Sequence, residues 1–144
     1  MKLATLKTKL ITITGTSIGE VIFDYQKELN VIRSKTYPIV FWSFDSTDFT
    51  NDIRTSNIQY DKEYTITAFI IGLFNKNSDD RITVWDTLEG YFNTYLNAID
   101  KMSTLQVINI SELKGKYMPE GTIAADNIIG IEYEGIVIKT FCST

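Results

Sequence analysis

The chain has 144 residues and a mass of 16.4 kDa, with 14 basic and 18 acidic side chains, no histidine and one cysteine. One domain of this size buries a core without a metal or a staple, and Cys142 alone closes no internal disulfide, which fits a cytoplasmic origin. A formal net charge of −4 argues against a surface that grips phosphates; apolar runs of four or five residues and the lack of a signal-peptide core argue against membrane insertion and export.

Isoleucine, valine and threonine together make up 45 of the 144 residues. Such β-branched side chains lose least freedom on a pleated surface, so sheet is expected to dominate. Ahead of it, Leu3, Leu6, Leu10 and Ile13 recur at helical spacing, which predicts a helix over residues 2–14 that ends at Gly15. Residues 20–25 read as a short strand, followed by a polar turn at 26–30. A second strand is predicted over 37–44, with Pro38 confined to its start because proline has no N–H for the ladder. Both faces of that strand are apolar, Ile39 and Phe41 on one and Val40, Trp42 and Phe44 on the other. Either it is central in a covered sheet, or one face meets another chain.

Residues 45–59 are polar and exceed the usual connection of about 2 to 6 residues, which predicts an extended excursion such as a hairpin arm. Residues 64–74 form the clearest strand, alternating at first and then apolar throughout. After a turn at 75–80, in which Ser78 or Asp79 is expected to cap the next helix, a stripe of Ile82, Trp85, Leu88, Phe92, Tyr95, Leu96 and Ile99 predicts an amphipathic helix over 81–101. A short strand at 105–110, a loop at 111–121 containing Pro119 and a last strand region at 127–141 complete the chain. In the last region Ile129, Ile131 and Tyr133 share one parity until Gly135, after which apolar residues occupy both, so a bulge or turn is expected there. The predicted class is α+β: a single domain with a mainly antiparallel sheet, an N-terminal helix and a long central helix packed on it.

Without histidine, Ser-His and Cys-His nucleophiles are excluded, and a lone cysteine offers neither a zinc knuckle nor a redox pair. No glycine-rich phosphate loop is present. Asp45, Asp48 and Asp52 lack the alternating ligands and central glycine of a calcium loop and read as solvated. No carboxylate pair is flanked by aromatics on which a sugar would stack, and Tyr25, Tyr60 and Tyr64 have no interleaved basic residues to track a nucleic-acid backbone. The expectation is a protein with no catalytic residue, no cofactor and no metal.

Taken in order, several segments resemble the neck and tail-terminator-like proteins of tailed bacteriophages, particularly of the crAss-like kind. They are Gly19-Glu20 opening a strand, Tyr37-Pro38 entering an apolar strand, a strand begun by Tyr64-Thr65-Ile66, the helix around Trp85-Asp86-Thr87-Leu88, the stretch from Asp126 to Gly130 and a late cysteine. The resemblance covers most of the chain. It implies a virion protein at the head–tail interface, made in the host bacterial cytoplasm. Such a protein assembles with itself into a sixfold or twelvefold ring stacked between portal or other neck proteins and tail proteins, and DNA passes through the lumen without specific binding. The residues expected at subunit contacts are Ile39, Phe41 and Trp42 of the doubly apolar strand, and Asp48, Phe49, Asn51, Ile53, Arg54 and Asn57 of the polar arm. The rival expectation is a small non-enzymatic module that holds a ligand or peptide in a pocket under the second helix.

Overall fold

The computed structural model describes residues 1–31, 36–54, 59–122 and 127–141, of which 30–31, 52–54 and 59–61 are described by backbone alone. Its frame is a pair of long antiparallel strands, β4 (Gln59–Leu73) and β7 (Ile128–Thr140). In β4 the even positions Tyr64, Ile66, Ala68 and Ile70 are buried in the main core, and in β7 the positions are Ile131, Tyr133, Ile136 and Ile138. The parity change between Tyr133 and Ile136 requires one extra residue. Ile66 pairs with Ile136 and Ala68 with Tyr133, so Glu134 and Gly135 together oppose Thr67. Gly135 has φ +66, a conformation that glycine adopts at no steric cost, and this bulge is the one that the sequence parity predicted.

Five shorter strands flank this pair: β1 (Glu20–Asp24), β2 (Ile39–Ser43), β3 (Asp48–Arg54), β5 (Leu105–Val107) and β6 (Lys114–Met118). β2 runs beside the C-terminal half of β4 and β3 beside its N-terminal half, with a 3-10 turn at Phe44–Ser46 between them. β5 and β6 divide β7 in the same way. Seven strands therefore fill five lanes: β1, then β2 with β3, then β4, then β7, then β6 with β5. Of these pairings β1–β2 is parallel and the rest are antiparallel.

Two helices, α1 (Leu3–Ile11) and α2 (Arg81–Asp100), cover one face of the sheet. They contribute Leu6 and Leu10, and Leu88, Phe92, Tyr95, Leu96 and Ile99. The buried Tyr95 hydroxyl accepts from Trp42 Nε1 at 2.9 Å and donates to the Leu10 carbonyl at 3.0 Å, which joins α2, β2 and α1 at one oxygen. Gly72 lets α2 approach closely, since a Cβ there would stand 2.9 Å from Leu88 Cδ2. Two expectations about α2 are corrected. Asp80 is the N-cap, accepting from Thr83 N at 3.2 Å, while Asp79 accepts from Asn75 N inside the preceding turn. The apolar stripe starts at Trp85, because Ile82 is 65% exposed on the first turn. The bounds agree with the expected helix: it starts at Arg81 and ends at Asp100, with Lys101 as its C-cap.

The opposite face is covered at its upper end by a smaller cluster, in which Leu29 from the 3-10 turn Gln26–Val31 meets Ile39, Phe41, Phe69, Ile71 and Ile128. This explains the doubly apolar β2: both of its faces are interior. The strand stops at Ser43, and Phe44 leaves it for the following turn. The expected loop at 111–121 contains β6, and the strand expected at 105–110 is only three residues long. Among the described residues no helix is long and apolar enough to cross a membrane.

Candidate functional site

The residues expected at subunit contacts fall into two groups. Ile39, Phe41 and Trp42 have no accessible surface at all, so the expectation that they meet another copy is corrected: their partners are Leu29, Phe69 and Ile71 on one side and Tyr95 on the other. The arm is half of a hairpin, with Asp48, Phe49 and Asn51 facing Thr65, Tyr64 and Lys62 of β4 and exposed to solvent. Phe49 is 58% exposed, with Lys62 Nζ 4.9 Å above its ring. Ile53 and Arg54 continue the same ladder opposite Tyr60 and Gln59. Asn57, like Cys142, lies outside the described residues.

What the arrangement offers is edges. Among the described residues β1 and β3 pair on one side only, and so do β5 and β6 at the far side of the sheet. An unpaired edge presents a row of N–H and C=O groups to any chain of suitable shape. β6 is solvent-exposed from Lys114 to Tyr117. Gly115 and Tyr117 sit on the helix-covered side, where a Cβ on Gly115 would meet the Tyr133 ring at 3.3 Å and the Tyr117 ring packs 5.1 Å from Trp85. Lys114 and Lys116 project to the opposite side, in register with Glu134 and Glu132. Burial, together with the adjacent Glu134, holds the Glu132 carboxyl above the usual carboxylate range, and Lys116 acts against that shift. Sequence reading missed β6 because glycine and lysine are poor strand formers and Pro119 follows; its one signal is the alternation of Lys114, Lys116 and Met118 with Gly115 and Tyr117.

At the other edge an aromatic corner lies between α1 and β1. Phe44 stacks edge-on against Tyr25 at 5.1 Å and Phe23 at 6.2 Å, and these rings with Leu3, Ala4, Lys7 and Asp24 line a cleft of about 330 Å³. Asp45 fixes the corner by accepting from Gln26 N and Ser43 Oγ, both at 2.9 Å, bonds that hold its carboxyl below the ordinary range. Asp45, read from the sequence as a solvated loop residue, is thus a structural clamp as well as exposed, and Asp48 belongs to a strand. Among the described residues no three His, Cys, Asp or Glu side chains are grouped to hold a metal ion. No protein-family model, curated protein or solved structure matches the chain.

Proposed function

We propose that the chain is a structural subunit of the head–tail junction of a tailed bacteriophage, a ring protein of the neck or tail-terminator kind that links portal and tail around the channel for the genome. The order of elements and the residues that open them support the reading. One observation carries it: among the described residues the strands at both sides of the sheet, β1 at one and β5 with β6 at the other, pair on one side only, while α1 and α2 cover one face. A subunit with two different open edges makes heterologous contacts, and these close into a ring when the rotation from copy to copy divides a full turn. A formal charge of −4 suits a lumen through which DNA slides without being held. The mechanism is assembly with its own copies and with portal, neck and tail proteins, with no chemical step.

Electron microscopy of the purified protein tests this reading. Ring-shaped particles of sixfold or twelvefold symmetry are expected, and particles of single-chain size under all conditions would contradict it. An apolar cleft of about 230 Å³ beside α2, lined by Tyr37, Val84, Leu88 and Tyr91, favours the second reading, a module with a ligand pocket under the second helix. A concentration-independent monomer whose melting temperature rises with an added apolar ligand would support that alternative.

A further inference from the structure

We propose that β1 and β6 are the two halves of one contact between copies: β6 of one subunit adds to β1 of the next as an antiparallel neighbour, in flush register. The proposal rests on the reading of the chain as a self-assembling subunit and names the surface that does it. Both strands are five residues long and bound the same block of the sheet. Following the pairings across the lanes, Val21 stands level with Val40, Ile70, Ile131 and Tyr117. Ile22 is level with Phe41, Phe69, Glu132 and Lys116, and Phe23 with Trp42, Ala68, Tyr133 and Gly115. Asp24 and Lys114 each stand one residue below the Phe23–Gly115 row.

The directions match as well. One parallel and three antiparallel pairings separate the two edges, so β6 runs opposite to β1, and two upright copies placed side by side meet as antiparallel strands. In that register the chemistry is complementary. Lys114, exposed and in register with its own Glu134, faces the exposed Asp24 of the neighbour, giving a row of alternating sign. On the helix-covered side the half-exposed Tyr117 meets Val21, and Gly115, having no side chain, leaves room beside Phe23. Lys116 lays its methylene stem along Ile22. Each copy in a closed ring makes the contact twice, which raises the effective strength of a short strand pairing.

The test is a cross-link. Asp24→Cys and Lys114→Cys are combined in one chain that also carries Cys142→Ser. Within a chain the two positions lie four lanes apart, about 19 Å at roughly 4.8 Å per lane, beyond disulfide reach. Across the proposed contact their Cβ atoms are about 5 Å apart. Mild oxidation is expected to give a covalent ladder up to the mass of the ring, and either cysteine alone is expected to give none. In parallel, Lys114→Asp or Asp24→Lys alone is expected to raise the concentration for half-assembly about fivefold, and the double exchange to restore it. Rings that form while the paired cysteines stay uncoupled and the charge exchange has no effect would overturn this contact and leave the ring reading intact. A protein that is monomeric at every concentration would overturn the ring reading itself.

Discussion

Tyr95 shows how much of the fold turns on single buried atoms. Its hydroxyl satisfies both the Trp42 indole N–H and the Leu10 carbonyl, groups that have no water to turn to inside the core. Tyr95→Phe keeps the packing and orphans both, so a loss of about 1–3 kcal/mol is expected in chemical denaturation, more than a methyl-sized cavity would give. Burial also pushes the phenols of Tyr95 and Tyr133 well above their ordinary value of 10.0. Because the folded state holds these phenols neutral while the unfolded state ionises them, their contribution to stability is constant below about pH 10 and declines as pH rises beyond it. Melting temperatures across the alkaline range are expected to fall from that point, less steeply in Tyr133→Phe; a flat profile would contradict the assignment.

Among the elements, the β7 bulge is the clearest case of local sequence and pairing in agreement. The parity break at Gly135 is legible in the order of apolar residues, yet the residue that locks it is not. Asn109, from the segment between β5 and β6, donates through Nδ2 to the Gly135 carbonyl at 2.9 Å and accepts from Val137 N at 3.0 Å. Asn109→Ala is expected to cost about 1–3 kcal/mol and to speed amide exchange at Val137. An unchanged exchange rate there would mean that the bulge holds without its clamp. The long elements were legible because their periodicity is internal: β4 and α2 carry enough apolar positions to declare their period. β6 was not legible, since a Lys-Gly-Lys strand exists only because β7 offers it a ladder. The apolar surplus of β2 was legible, but its destination was not: the second cover depends on Leu29, placed by a turn whose own sequence is polar.

At the scale of the whole molecule, the correction at β2 moves the case for assembly from apolar faces to open edges. Ile39, Phe41 and Trp42 are used up inside the subunit, so their mutation tests folding rather than contact. What is left at the surface is a set of strand edges bearing Phe49 on β3 and Tyr117 on β6, with acidic Asp24 at one boundary of the sheet and basic Lys114 and Lys116 at the other. Edges of unlike charge on one rigid sheet favour repetition over simple pairing, because each copy presents to the next what its other side would accept. The exposed positions of β3 were within reach of the sequence as a polar arm; that β1 and β6 stand level across the sheet required the register to be known.

The most direct measurement is the mass of the unmodified protein by sedimentation over a wide range of concentration and salt. A reversible rise from the 16.4 kDa chain to one closed multiple of it is expected, weakened by salt because the proposed contact is partly ionic. A mass fixed at 16.4 kDa throughout, at low salt and high concentration alike, would contradict it.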